Sequence, residues 1–321
     1  MTRRRALHAV RALFVLLTLT LAWWGFRGRW GEIGDAVIET GPWRLVAAVA
    51  CAVAGLALTG VLWRSLLRWV GSEVAARDAA AVFFVGQLGK YVPGSVWSVA
   101  VQAQLGRRHD VSPRSSVAAS SLFLLVHTAT GLLAGGLLAA LGAVDLPDGL
   151  SRLWTGVAVL VGGVSLVPPL LRQLADRLAG RGTRAVLGLP QVALSVVLMG
   201  LVWLAYGSAL LLLVPAGGPM PSLLAATAAF ALAHAVGVLV VFAPAGVGAR
   251  EAVLVGLLAP VVGVPVAVAV TLLSRVVHAL ADFLSALAAS VVASRGASGQ
   301  AIPPAVQDSS QAGDPAGVRG R

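Results

Sequence analysis

The stretch VGQLGKYVPGSVWS, residues 85–98, lies inside a longer apolar run, 79–106, and holds the chain's single lysine, Lys90, close to Pro93 and Gly94. How this segment runs decides the fold. If it crosses a membrane once, every later segment takes one orientation. If it turns back, every later segment takes the other.

Composition puts the run in a membrane. The chain is 58% hydrophobic and 12% charged, with a mean hydropathy of +0.88, whereas soluble domains carry about 25% charged residues. Other apolar runs cover 7–26, 43–63, 115–141, 153–171, 188–214, 222–243 and 252–292. Several exceed the ~20 residues that a spanning helix needs. The last is too long for one span and is interrupted by Pro260 and Pro265. The chain reads as all-α, a polytopic helical bundle over 1–294 with about six full spans. A tail over 295–321, rich in Gly, Pro, Ser and Gln, lacks apolar periodicity and is expected to be disordered. The start, MTRRRALHAVRALFVLLTLTLAWW, has a basic end and an apolar middle but no small-x-small cleavage site. It is expected to stay as a first helix with interfacial tryptophans.

The net charge of +11 comes from arginines set mostly in short loops between apolar runs. That distribution orients a membrane protein, and anionic headgroups, not nucleic acid, are its natural counter-charge. Cys51 is the only cysteine, which rules out an intrachain disulfide and a thiolate metal site. No HExxH, acid cluster, GxSxG or strand-bound GxGxxG occurs, so no metal and no cofactor are expected.

Positive charge then tests segment 79–106. With Arg3, Arg4, Arg5 and Arg11 inside, the loop with Arg64, Arg68 and Arg77 is also inside. A single crossing by 79–106 would put Arg107, Arg108 and Arg114 outside. It would likewise expel Arg172, Arg177, Arg181 and Arg184, and bring Asp145 and Asp148 inside. A segment that dips in and returns removes all three conflicts. Pro93-Gly94 is where it would turn, since Pro removes a backbone donor and Gly tolerates the bend. Irregular backbone at this depth survives only beside protein or a wet cavity, and there Lys90 faces the cavity or snorkels to the interface.

A second segment, 241–265, has the same grammar. Pro93-Gly94-Ser95-Val96 aligns with Pro244-Ala245-Gly246-Val247 at an offset of 151 residues. Paired, broken apolar segments mark substrate sites in transporters. A second re-entrant or broken helix is therefore expected around 244–264. PAGVGAREAVLV (244–255) resembles the PGGIGVREA motif of the lysylphosphatidylglycerol synthase transmembrane-region family. That family includes the flippase domain of multiple peptide resistance factors. GKYVPGSVWSVAVQAQLGRR (89–108) is similar to its first motif, and spacing and order match over 7–292. Ala245 stands where the family has Gly, and Trp97 and Ser98 stand about where it has an acid. The resemblance implies a membrane flippase fold. With roughly 30 residues after the last helix, the cytosolic synthase domain of the full-length family members is not expected here.

Charges in the apolar body nominate the site. Glu251 is placed to start a helix, where the macrodipole favours a carboxylate, and Arg250 beside it suits a phosphate. Ionised groups at bilayer depth cost on the order of 3 kcal/mol even on the lenient scale. Arg275, His278 and Asp282 are spaced three and four apart and share one helix face. This face is expected to be a headgroup or proton site, with Arg275 meeting phosphate and Asp282 holding Arg275 or His278; the alternative is an internal ion pair that fixes helix packing, such as Arg275 with Glu251. His127 and His234 are expected to act separately as helix glue. Pro93, Gly94, Pro244, Gly246 and Gly248 mark the breaks, and GLLAGGLLAALG (131–142) suits close helix packing.

The expected function is a flippase of the cytoplasmic membrane, with its N-terminus cytoplasmic. Lys90, Arg250, Glu251, Arg275, His278 and Asp282 would bind an anionic phospholipid or lipid-linked headgroup. The alternatives are a membrane-embedded lipid transferase, with Glu251 or Asp282 as base, and a scaffold for a separate synthase or glycosyltransferase.

Overall fold

The computed structural model describes residues 31, 35, 38–91, 97–144, 152–180, 185–240 and 248–298. Every regular element among the described residues is helical. In chain order they are α1 (Pro42–Trp69), α2 (Ala76–Gln87), α3 (Trp97–Gly106), α4 (Pro113–Ala140) and α5 (Arg152–Ser165). There follow α6 (Pro168–Ala179), α7 (Leu189–Leu212), α8 (Leu223–Leu239), α9 (Ala249–Val262) and α10 (Val264–Ser298). α1, α4, α7 and α10 are long and apolar enough to cross a membrane. Helices α5 and α6 are apolar enough together to make a fifth, broken span, bent by 57°, because Pro168 and Pro169 cannot continue the ladder of α5. The apolar run at 7–26 lies outside the described residues. Helix α10 continues to Ser298, four residues past the expected end of the bundle.

The two short pairs are hairpins. α2 and α3 have 12 and 10 residues, or about 18 and 15 Å at 1.5 Å per residue, against a ~30 Å hydrocarbon core. Neither can span alone, and the two arms lie side by side. Gly86 faces Gln102, and Gly89 faces the backbone of Trp97 and Ser98. Numbers that rise on one arm oppose numbers that fall on the other, so the chain turns back on itself. The turn, with Pro93 and Gly94, lies outside the described residues, as do Pro244 and Gly246 in the second connection. There α8 packs on α9, and α9 on α10. Gly248 opens α9 at φ +89°, a left-handed value that glycine adopts without strain.

The close approach of the first hairpin has a measurable consequence. A Cβ at Gly89 would come within 2.7 Å of the Ser98 nitrogen and 2.8 Å of its Cα. Backbone atoms cannot swing aside as a side chain can. Gly89→Ala is expected to cost about 1–3 kcal/mol as overpacking, seen as a lower melting temperature in detergent.

Contacts fix the directions. Tyr206 of α7 packs on Gly55 of α1, and the Arg44 side chain at the start of α1 donates to the Leu211, Leu212 and Val214 carbonyls at the end of α7. α1 and α7 are therefore antiparallel, and Arg44 caps the orphan carbonyls of α7. The first hairpin follows the end of α1 and the second follows the end of α7, so they enter from opposite faces. At the first face, Val186 N–H donates to the Trp69 carbonyl at 2.9 Å, and Gly180 abuts Arg114. Arg68, Arg77, Arg108 and Arg114 gather on that face, as the charge count requires. At the other face a cavity of about 400 Å³ joins Asp35, Glu39, Thr40 and Leu213 to Pro265 and Val266 at the start of α10.

Each half is thus span, hairpin, span, and the second half is inverted relative to the first. α4 and α10 start 151 positions apart, at Pro113 and Val264, the offset that relates Pro93 to Pro244. Inverted repeats of this kind place a site near mid-membrane, where the broken elements meet.

Small and polar residues hold the halves together, since apolar burial drives little between helices already in lipid. Gly131 and Gly135 admit Ala231 and Leu232 of α8, and Gly136 admits Ala158 of α5. Trp63 Nε1–H donates to Ser120 Oγ at 3.1 Å, Ser120 donates to Gln102, and Gln102 Nε2 reaches the Phe83 carbonyl at 3.5 Å. This chain ties α1, α4, α3 and α2, and it shows Gln102 satisfying a carbonyl. Large apolar side chains such as Trp43, Leu160, Val197 and Leu287 face outward, where lipid would cover them.

Candidate functional site

Both hairpins bring charge to one helix. A 3₁₀ turn, Leu88–Tyr91, prolongs α2 and delivers Lys90 and Tyr91 to α10. Lys90 Nζ lies 2.6 Å from Asp282 Oδ2, and the Tyr91 hydroxyl donates to the same oxygen at 2.6 Å. The Tyr91 ring stacks on Phe283, centroids 6.0 Å apart. From the other side comes α9. Its carboxylate at Glu251 accepts from the Gly248 N–H at the helix start, and Arg275 of α10 donates to its second oxygen. Arg275 and Asp282 are seven residues apart, two turns of one helix, so they share a face. The first hairpin therefore offers a cation to an anion of α10, and the second offers an anion to a cation of α10.

This pairing revises the expected roles. Lys90 is not a free cation lining a cavity; it is matched to Asp282, which is 4% exposed. Asp282 holds neither Arg275 nor His278. Two turns separate it from Arg275, and His278 Nδ1 lies 2.8 Å from the Ser274 carbonyl in the preceding turn. Of the alternatives for Arg275, the structure shows the pair with Glu251.

Arg250 differs from the other two cations. Its guanidinium lies over the Phe230 ring, 4.6 Å from the centroid, and its Nε and Nη2 are buried with no hydrogen-bond partner. The cation–π contact is worth about 0.5–2 kcal/mol, and an unmet hydrogen bond at a charged group costs more than about 1–3 kcal/mol. With the pairs Lys90–Asp282 and Arg275–Glu251 balanced, the described site carries one surplus positive charge, on Arg250.

His127 and His234, read from sequence as separate glue, sit together. Their rings stack at 4.4 Å and 14°. Phe230 continues the column to His278, centroids 4.8 Å apart, and Trp203 and Tyr206 flank it. No sequence signal joins His127 to His234, because only packing of α4 on α8 brings them into contact. Phe230 and His234 are four apart on α8 and so share a face, the one part of the column that spacing could have suggested.

Two inverted halves, each with a charged re-entrant hairpin, define a polytopic helical membrane protein. The family model described as the lysylphosphatidylglycerol synthase TM region matches residues 10–286, and the chain belongs to that family. A comparison with curated proteins gives no match.

Proposed function

We propose that the protein moves an anionic phospholipid, or a lipid-linked anionic headgroup, between leaflets of the cytoplasmic membrane, with its N-terminus and basic face cytoplasmic. The observation that carries this reading is Arg250: a guanidinium at the inner end of a hairpin, with two buried nitrogens unmet and the neighbouring cations already neutralised. Arginine's planar fork suits phosphate oxygens and stays charged at any accessible pH. The start of α9, two residues away at Gly248, adds a positive dipole end. Glu251 stays bound to Arg275 and does not compete for the phosphate. Hairpins that enter from opposite faces give the headgroup a route from either leaflet, while the acyl chains stay in lipid.

The reading needs no chemistry on the lipid. Its test is leaflet-resolved movement of fluorescent phosphatidylglycerol in vesicles containing the purified protein, read by chemical quenching of the outer leaflet. Movement well above that of empty vesicles, and above that of fluorescent phosphatidylcholine, is expected. Movement no faster than in empty vesicles rejects the reading.

A further inference from the structure

The column of His127, His234 and His278 is joined through Phe230, the ring on which the Arg250 guanidinium lies, and has no part in the proposed movement of the headgroup. We infer that it is a proton-binding site coupled to Arg250, so that an anionic headgroup and one proton are taken up together. This rests on the reading of Arg250 as the headgroup site.

Tautomers carry the first step. The Ser274 carbonyl can only accept, so His278 Nδ1 carries the hydrogen and donates to it. That leaves a lone pair on Nε2, and this atom is buried without a partner. Nε2 of His127 is likewise buried and unmet. Nε2 of His278, which carries no hydrogen and meets no donor, is therefore a vacant base. Metal binding does not account for the column. Its rings present stacked faces to one another, and among the described residues no three His, Cys, Asp or Glu side chains converge on a metal position.

Surrounding charge couples the base to the anion. The groups that face the column are Arg250 and Glu251 on α9, Arg275 and Asp282 on α10, Lys90 and Tyr91 on the first hairpin, and Tyr206 on α7. Lys90 and Arg275 each have a carboxylate partner, whereas Arg250 has none among the described residues. With the site empty, that cation opposes a second positive charge on His127 or His278. A phosphodiester on Arg250 removes the opposition, and a proton from water can then bond to the vacant Nε2, turning imidazole to imidazolium. By linkage the effect is reciprocal: the proton strengthens anion binding as much as the anion strengthens proton binding. A monoanion that crosses with one proton moves no net charge, so a pH gradient would drive it and a membrane potential would not.

The experiment titrates purified wild-type protein in nanodiscs with dihexanoyl phosphatidylglycerol, in two buffers of different ionisation enthalpy. Dihexanoyl phosphatidylcholine and glycerophosphoglycerol, the headgroup without tails, serve as further probes. Expected is uptake of about one proton per bound phosphatidylglycerol, with affinity rising up to about tenfold per pH unit lowered. No uptake is expected with phosphatidylcholine. His127→Gln with His278→Gln should lose both the uptake and the rise of affinity at low pH, leaving the weaker binding that wild type shows at high pH. Binding by wild type without uptake overturns this inference alone, and so does uptake unchanged in the double variant. Uptake driven equally by glycerophosphoglycerol keeps the coupled site and rejects a lipid as its ligand. Absence of any binding overturns both readings.

Discussion

Lys90→Met will lower the stability of the folded protein by about 3 kcal/mol, within the range for breaking a buried pair by removing one partner. Asp282→Asn will cost less. The asymmetry follows from exposure. The Asp282 side chain is 4% exposed and that of Lys90 is 38% exposed. Without Lys90, the carboxylate is stranded with Tyr91 alone. Without the carboxylate, Lys90 can still reach water or headgroups by extending its stem. Thermal melts of the two variants in the same detergent give the comparison, and a larger loss in Asp282→Asn contradicts it.

Arg250→Ala will do the reverse. Arg250 makes no ion pair among the described residues, and two of its nitrogens are buried and unmet, so its removal relieves a burial cost while forfeiting one cation–π contact with Phe230. Stability is expected to stay within about 1 kcal/mol of wild type or to rise. Movement of fluorescent phosphatidylglycerol, by contrast, is expected to fall by at least about tenfold, the worth of one charge-assisted hydrogen bond of roughly 1.5–3 kcal/mol. Arg250→Lys should recover part of it, since a point charge replaces a planar fork. Wild-type movement in Arg250→Ala removes Arg250 from the site. Taken together, the two variants separate a cation that holds the fold from one that is held ready for a ligand.

Much of this architecture was legible in the chain. The first hairpin follows from arginine positions, because only a segment that returns puts Arg68, Arg77, Arg108 and Arg114 on one face. The charged face of α10 follows from the three- and four-residue spacing of Arg275, His278 and Asp282. What the pattern could not give was who meets whom. A buried charge demands a partner, but Lys90 and Asp282 lie 192 positions apart, and nothing local selects that pairing over Arg275 with Asp282. The histidine column was hidden for the same reason: its members come from α4, α8 and α10. The apolar run ends at 171, but helix α6 continues to Ala179 as an amphipathic element in which Arg172 donates to the Leu187 carbonyl, and hydropathy alone does not report such a stretch.

The central claim is that two hairpins enter the membrane from opposite faces and meet on α10. Single cysteines at Glu73, Arg108, Met220 and Val264, in a Cys51→Ala background, test it most directly. A membrane-impermeant maleimide is applied to intact cells and to inverted vesicles. Glu73→Cys and Arg108→Cys, which bracket the first hairpin, are expected to label from one side only. Met220→Cys and Val264→Cys, which bracket the second, should label from the other side only. Labelling of Glu73→Cys and Arg108→Cys from opposite sides would mean that 79–106 crosses once, and the inverted architecture would be wrong.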